Sequence, residues 1–206
     1  MMKEVLDEIL QNNPLLWRGR EISKNKTESI PTGYEALDEI LPNGGWPTNA
    51  LVEVISPRWG IGELQLLLPA LIQKSQQACR LIWIAPPFVP YASSLVNSGI
   101  AIEQVIVIPV DKVAASASWT MEKILKTQSC GIVMSWPKRL QDKTIRRLQL
   151  AAEVGNSLGF LFRTVEVKSS AAAIRIRINS VPTGLQVDVF KARGTGRFKS
   201  IILPSK

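Results

Sequence analysis

Short apolar runs alternate with amphipathic stretches along most of this chain of 206 residues. Nearly continuous apolar runs such as LIWIA (81–85) and VIVIP (105–109) indicate strands buried on both faces of a parallel sheet. The stretches between them have the 3.6-residue periodicity of helices packed on a core. This pattern predicts strands at 50–55, 80–85, 104–109, 131–136 and 159–167, and helices at 34–41, from 63 onward, and at 91–98, 114–127 and 139–158.

The last third of the chain has a different pattern. The stretches IRIRI (174–178) and LQVDVF (185–190) alternate strictly between apolar and polar residues, and 197–203 predicts one more strand. Strict alternation is typical of antiparallel strands that expose one face to water. We therefore predict an α/β fold with a mainly parallel central sheet, helices on both faces, and antiparallel C-terminal edge strands.

Residues 1–29 are set apart from this pattern, and we interpret them as an N-terminal arm and polar linker ahead of a domain at 30–206. A short helix with one apolar stripe is followed, after the break at Asn13-Pro14, by a second apolar cluster. Because so short a helix cannot bury itself, the arm either folds back on its own domain or binds another molecule. The candidate contact residues are Val5, Leu6, Ile9, Leu10, Leu15, Leu16 and Trp17.

Composition narrows the possible functions. The net charge of +8 favours an acidic partner, such as nucleic acid or an acidic protein surface, or simply keeps the chain soluble. The chain has no histidine, which excludes Ser–His and Cys–His catalytic pairs and His-ligated metal sites. Cys79 and Cys130 adjoin apolar strands and are expected to be buried, reduced thiols. With no signal peptide and no membrane-spanning run, we expect a cytoplasmic protein that does not enter membranes.

The centre of the chain has the layout of a phosphate-binding P-loop: a buried strand, a turn with two glycines, and a helix. Gly60 and Gly62 stand in the turn that begins at Ser56, but Glu63 and Leu64 stand where the motif has Lys and Ser/Thr. A carboxylate at that point would repel a polyphosphate. We interpret the loop as a vestige without a cofactor, and weak nucleotide binding through its glycines remains an alternative.

Trp59, inside this loop, either plugs the vacant phosphate pocket or is an exposed anchor for a partner, and cavity filling favours the plug. Asp38, Glu39 and Glu53 have neither metal-ligand spacing nor an evident cleft. We expect these carboxylates to lie on a solvated face.

Basic residues gather in the C-terminal region. Such a cluster could contact the phosphates of DNA or an acidic protein, and scattered surface charge is the alternative. No aromatic residues are interleaved with it, which argues against sequence-specific reading of bases. The candidate patch consists of Arg175, Arg177, Lys191, Arg193, Arg197 and Lys199.

Over most of residues 30–203 the chain resembles the RecA family. The resemblance lies in Ile30-Pro31-Thr32-Gly33, in GGWP (44–47), in the strand at 51–55 and in the final hairpin. It implies a RecA-like core. It also implies that the family's catalytic glutamate falls where Pro86 and Pro87 stand, its magnesium-associated Asp near Ser135, and its nucleotide-sensing Gln near Arg163 or Thr164. With the phosphate lysine also missing, we expect no ATP hydrolysis and no enzyme activity.

Several longer strings are similar to the ImuA family: LWRGRE, GGWP, GIGELQLLLPAL, WIAPP, CGIVMSWP, RRLQLAAE and GFLFR. This resemblance implies an accessory protein of DNA-damage-induced mutagenic translesion synthesis. Its implied partners are ImuB, RecA and, through ImuB, an error-prone replicative-type DNA polymerase. The N-terminal arm resembles the subunit-joining arm of RecA, which implies self-association or docking on RecA-like neighbours.

GIGELQLLLPAL and GFLFR also resemble the SulA family, which implies a cell division inhibitor that binds FtsZ. An FtsZ-binding core would need neither the N-terminal arm nor the GGWP segment. On that ground we expect the ImuA-like function, with the SulA-like function as the alternative.

Overall fold

The computed structural model describes residues 28–109, 114–127, 130–137, 140–192 and 198–204. A large sheet of eight strands has the order β10-β9-β8-β3-β7-β6-β4-β5, and β1 and β2 form a separate ribbon. The strands are β1 (Ser29–Ile30), β2 (Trp46–Pro47), β3 (Leu51–Ile55), β4 (Arg80–Ile84), β5 (Val105–Ile108), β6 (Cys130–Ser135), β7 (Leu158–Arg163), β8 (Ile174–Val181), β9 (Gly184–Ala192) and β10 (Lys199–Pro204). The helices are α1 (Glu35–Asp38), α2 (Glu63–Gln76), α3 (Ala92–Asn97), α4 (Ala114–Leu125) and α5 (Asp142–Gly155).

Strand β3 lies inside the sheet, with β7 on one side and β8 on the other, and all three run parallel. Strands β4, β5 and β6 continue the parallel part. Strands β9 and β10 pair in antiparallel fashion beyond β8. The predicted α/β fold, with a mainly parallel sheet and antiparallel C-terminal edge strands, is therefore confirmed.

Helices cover both faces of the sheet. On one face, Leu66 and Leu67 of α2 pack with Val52, Val54 and other apolar side chains of the strands. On the other face, Met121 of α4 and Leu148 of α5 pack with Leu51. Neighbouring residues of β3 thus face opposite cores, as the pleat requires.

The last residues of the segment predicted as linker belong to the ribbon of β1 and β2. Ser29 pairs with Pro47, and the backbone N–H of Thr48 donates to the carbonyl of Glu28 at 3.0 Å. The arm and its seven candidate contact residues, from Val5 to Trp17, lie outside the described residues. Their role and the domain boundary after residue 29 therefore remain predictions.

Two local predictions were wrong. Strand β5 was expected to be buried on both faces, but it lies at the sheet edge, and Ile106 and Val107 are each 40% exposed. Cys79 is half-buried rather than buried.

Helix α5 is shorter than the predicted range of 139–158. It begins at Asp142 and ends at Gly155, because Asn156 has the left-handed backbone conformation (φ 46°) that stops a helix. Strand β7 then begins at Leu158.

None of the helices within the described ranges combines the length and apolarity that a membrane crossing requires. Over the same ranges, His, Cys, Asp and Glu side chains form no group of three or more that could hold a metal ion.

Candidate functional site: a vestigial P-loop and an exposed sheet edge

The loop between β3 and α2 has the backbone shape of an anion-binding turn. Gly60 and Gly62 have φ angles of +81° and +118°, which side-chain-bearing residues rarely adopt. Gly62 is the N-cap of α2, and its carbonyl accepts the first bond of the helix from the N–H of Leu66 at 3.0 Å. The two glycines that predicted the loop are therefore required by its conformation.

Glu63 fills this turn with its own negative charge. Its Oε1 accepts a hydrogen bond from the backbone N–H of Gly60 at 2.7 Å, and its Oε2 accepts one from the N–H of Ile61 at 3.0 Å. The side chain is largely enclosed, since Glu63 is only 6% exposed. In a working P-loop, backbone N–H groups of this kind hold phosphate oxygens. The carboxylate therefore takes up donors that a phosphate would need, in addition to repelling it.

Ser56 is also used within the loop. Its Oγ donates to the carbonyl of Arg58, and its backbone N–H donates to the carbonyl of Arg163 at 2.9 Å. The hydroxyl is buried and ties the first turn of the loop together.

Aromatic side chains fill the space beside the loop. Trp136 stacks on Phe162 with centroids 4.5 Å apart, and Trp83 lies 6.1 Å from Trp136. Trp59 is partly buried and meets Phe162 edge-on, with centroids 6.5 Å apart. This packing argues against a fully exposed anchor, but Trp59 also lines an open depression beside the loop, so it does not fill the pocket as the plug interpretation expects.

The remaining positions that the RecA resemblance singled out do not form a nucleotide site. Pro86 and Pro87 have no ionisable group, and Thr164 is exposed. Ser135 is fully buried at the end of β6. Arg163 points to Glu53 rather than acting as a sensor, because its Nη1 lies 2.8 Å from Glu53 Oε1. Arg58 contributes a cation to an open depression of about 600 Å³ beside the loop. Glu63, however, already accepts from two of the backbone N–H groups that could hold an anion there.

Glu53 corrects a prediction. It was expected on a solvated face, but it is 0% exposed in β3. Its Oε2 lies 2.7 Å from Arg175 Nε, and with Arg163 the carboxylate is held between two guanidinium groups from neighbouring strands. Such pairing is what a carboxylate needs in order to be buried inside a sheet. Of the other two carboxylates, Asp38 accepts from the N–H of Thr32 and Glu39 is exposed.

The predicted basic patch is not one surface. Arg175 is 4% exposed, because it serves the Glu53 cluster, and its guanidinium lies 4.7 Å from the ring centroid of Phe190. Arg177 pairs with Glu166. Lys191 donates to the carbonyl of Ser170 at 2.6 Å, and Lys199 is exposed on β10. Arg193 and Arg197 lie outside the described residues.

Sequence reasoning missed a group of exposed apolar side chains at and around β5, which is here named the edge surface. Val89 is 93% exposed and Tyr91 is 73% exposed, both in the loop after β4. Apolar side chains on α3, on the turn before β5 and on β5 itself add to it. The signal was the apolar content of PFVPY (87–91), a loop where polar residues are the norm. The edge surface comprises Phe88, Val89, Tyr91, Val96, Ile102, Ile106 and Val107.

Comparison with known proteins gives two results. Residues 58–159 match the model of the family described as "Cell division inhibitor SulA". The chain is 38% identical to a cell division inhibitor SulA of Yersinia pestis over 103 residues, and 34% identical to one of Serratia marcescens over the same length. Each alignment covers 48% of this chain and 58% of the relative. A SulA of Photorhabdus laumondii is 30% identical over 55% of this chain and 63% of its own length. The chain thus spans less than two thirds of these relatives.

A solved structure has a similar fold. The crystal structure of the RadB recombinase aligns with a TM-score of 0.66, over 84% of this chain and 95% of that one. The sequences are 13% identical, so this likeness concerns the fold alone.

The SulA matches overturn the main functional expectation. Translesion synthesis, with ImuB, RecA and an error-prone polymerase as partners, is contradicted by them and replaced by the SulA alternative. The arm and the GGWP segment, on which the ImuA expectation depended, both lie outside the matched residues 58–159. Over that stretch, from Arg58 in the vestigial P-loop to the start of β7, the chain is similar to the SulA cell division inhibitors. Over 84% of its length its fold is similar to that of the RadB recombinase.

Proposed function

We propose that this chain is a non-enzymatic cell division inhibitor of the SulA type that acts by binding FtsZ. The observation that carries the proposal is the match of residues 58–159 to the SulA family, since that stretch contains the vestigial P-loop from Arg58 onward and the whole edge surface. Because the chain spans only 58% to 63% of the curated relatives, the activity of the whole relative is proposed for it rather than established.

Inhibition by binding, rather than by chemistry, is supported by the loop. Glu63 accepts from two backbone N–H groups of the turn, and Trp59 packs against Phe162 beside them. A protein that keeps this core without its phosphate site acts through its surfaces. Titration with a fluorescent ATP analogue tests this step, and saturable micromolar binding would contradict it.

The edge surface is the proposed contact with FtsZ. Among the strands that the structure describes, β5 pairs with β4 and forms the end of the sheet. An exposed apolar edge of this kind favours association with another protein. Tyr91 is the strongest candidate for an anchor, because exposed tyrosines combine a large apolar area with a polar tip.

The test measures FtsZ polymerisation and GTPase activity in the presence of the purified chain. We expect inhibition that saturates near stoichiometric amounts. Val107→Lys and Tyr91→Ala should each raise the concentration needed for half inhibition by about tenfold or more, as loss of a contact worth about 1.4 kcal/mol would. Val165→Lys, on another exposed apolar residue, is the matched control and should leave inhibition unchanged.

Two outcomes would contradict the proposal. If the unaltered chain has no effect on FtsZ, the function itself is wrong. If it inhibits FtsZ and both edge variants inhibit equally well, the function stands and the assignment of the edge surface is wrong.

We also propose that residues 1–29 form an arm that leads through β1 into the domain at 30–206, and that the arm mediates self-association. Its seven apolar residues support this, because they cannot be buried by the arm alone. Analytical ultracentrifugation of the full chain and of a chain lacking residues 1–27 tests it. An unchanged oligomeric state would sink the idea.

A further inference from the structure

We propose that the outer face of α4 and α5 binds an acidic amphipathic helix of a partner protein. This surface and the edge surface are formed by different helices and strands. The inference does not rest on binding to FtsZ. The α4–α5 face is defined by Trp119 and Lys123 of α4 and by Lys143, Arg146, Leu150 and Val154 of α5.

The spacing of these residues places them on the outside of each helix. In α5 the four positions follow one another at intervals of three, four and four, which is one stripe along a helix. Ile145 and Leu148 lie on the opposite side and are fully buried. In α4, Trp119 and Lys123 are one turn apart, and the lysine Nζ lies 5.7 Å from the centre of the indole ring.

The two helices are joined side by side, so the stripes form one surface. Glu122 of α4 pairs with Lys126 on its own helix and with Arg147 of α5. At the end of α5, Gly155 lies so close to α4 that a Cβ there would stand 1.8 Å from the carbonyl oxygen of Leu125. The close backbone approach of Gly155 to Leu125 and the ion pair between Glu122 and Arg147 hold the outer stripes next to each other.

The face combines large exposed apolar side chains with positive charge. Trp119 is 58% exposed, Leu150 is 51% exposed and Val154 is 71% exposed. Lys123, Lys143 and Arg146 surround them and are exposed, while the carboxylate of Glu122 is already engaged by Lys126 and Arg147. Neither Lys143 nor Arg146 forms a salt bridge within the described part of the chain.

This combination selects the kind of partner. Cations favour carboxylates or phosphates, but aliphatic side chains such as Leu150 and Val154 offer no stacking platform to bases. A helix with leucines on one side and glutamates along its margins complements both properties at once. Charge complementarity with apolar contact therefore favours an acidic amphipathic helix over nucleic acid.

The experiment uses the full chain and a fluorescein-labelled synthetic helix made of three repeats of Leu-Glu-Glu-Leu-Leu-Glu-Glu. Binding is followed by fluorescence anisotropy at low and at physiological salt. We expect saturable binding at micromolar concentrations that weakens as salt rises. A peptide of the same composition in a non-amphipathic order and a single-stranded thymine oligonucleotide should bind at least about tenfold more weakly.

Variants locate the site. Lys143→Glu with Arg146→Glu, and separately Val154→Glu, should each raise the dissociation constant by about tenfold or more. All three positions are exposed, and circular dichroism checks that the variants fold. The matched controls are Lys168→Glu with Lys199→Glu for charge, and Val165→Glu for an exposed valine, and both should bind as the unaltered chain does.

The proposal is overturned if the helix does not bind saturably or if the face variants bind as well as the controls. Equal binding of the scrambled peptide or the oligonucleotide would show general attraction of polyanions and would also overturn it. The edge variant Val107→Lys should leave peptide binding unchanged. The proposal for the α4–α5 face and the proposal for FtsZ binding can therefore be contradicted separately.

Discussion

Glu63 and Gly60 are joined by a hydrogen bond of 2.7 Å from the backbone N–H of the glycine to the carboxylate of the glutamate. In a working P-loop such an N–H group binds a phosphate of the nucleotide, whereas here it binds the carboxylate of the loop's own Glu63. Since Glu63 is also the first residue of α2, its charge lies at the positive end of the helix dipole. The loss of nucleotide chemistry and the stability of the loop therefore depend on the same side chain.

Glu63→Ala should lower the free energy of unfolding by about 1–3 kcal/mol, because it leaves two loop N–H groups without their acceptor. Urea denaturation followed by circular dichroism measures the change. Glu39→Ala, at an exposed position, is the control and should stay within about 0.5 kcal/mol of the unaltered chain. Equal stability of the two variants would mean that the carboxylate does not hold the loop.

Glu53→Ala should cost about 3–5 kcal/mol, the usual loss when one member of a buried ion pair is removed. The reason is that Arg163 and Arg175 would remain close together without their shared carboxylate. Chemical denaturation again provides the measurement. The double variant Glu53→Leu with Arg175→Met should recover part of the loss, because it removes a buried charge along with its partner.

The control for the Glu53 cluster is the exposed pair of Arg177 and Glu166, whose side chains are 38% and 39% exposed. Glu166→Gln should change stability by no more than about 1 kcal/mol. If Glu53→Ala costs as little as this surface variant, the buried ion pairs of Glu53 do not stabilise the folded chain.

The strand that contains Glu53 could be predicted from the sequence, whereas the burial of Glu53 could not. The apolar run around it predicts β3 directly, because strand burial has a local pattern. Its burial could not be predicted, because its partners are 110 and 122 residues away and become neighbours only when β7 and β8 flank β3. A carboxylate in an apolar run is compatible with a bulge, an edge or a buried pair until the strand order is known.

Strand order also explains the missed edge surface. The run VIVI predicts a strand but not its place, and β5 lies at the sheet edge only because the chain crosses over from β5 to β6 on the far side of β4. The P-loop was predictable because the whole motif is local: two glycines, a strand and a helix. The sequence indicated that Glu63 removes the phosphate chemistry, whereas its bonds to Gly60 and Ile61 required the structure.

Glu122 should make stability depend on pH in the acid range. Its hydrogen bond to Lys126, together with the nearby charge of Arg147, lowers the pKa of the Glu122 carboxyl below its ordinary value. A carboxyl with a lowered pKa in the folded state contributes stability above its unfolded pKa, and that contribution is lost as pH falls through the folded pKa. Glu122→Gln should therefore destabilise the chain at neutral pH and have no such effect at the acid end.

Because Lys126 and Arg147 are largely exposed, the neutral-pH effect of Glu122→Gln should not exceed about 1 kcal/mol. Denaturation curves at a series of pH values for the variant and the unaltered chain measure the difference. Glu39→Gln, at an exposed carboxyl outside any helix N-terminus, is the control and should show no such change with pH. A difference for Glu122→Gln that is constant with pH would contradict the electrostatic explanation.

Gly155→Ala tests the contact that fixes α4 against α5. An added methyl group would stand 1.8 Å from the carbonyl oxygen of Leu125, so the helices must separate. Forced overpacking of this kind typically costs about 1–3 kcal/mol, and thermal unfolding should show a matching fall in midpoint. Asn156→Gly, at the adjacent left-handed position where glycine is well tolerated, is the control, and its unfolding midpoint should be close to that of the unaltered chain.

Gly155→Ala should also weaken binding of the acidic helix, because separation of α4 from α5 would displace the outer stripes of both helices. Binding is measured at a temperature well below the unfolding midpoint of the variant, so that the variant is folded. Unchanged stability together with unchanged binding would mean that the approach of α5 to α4 is not as close as the contact at Leu125 requires.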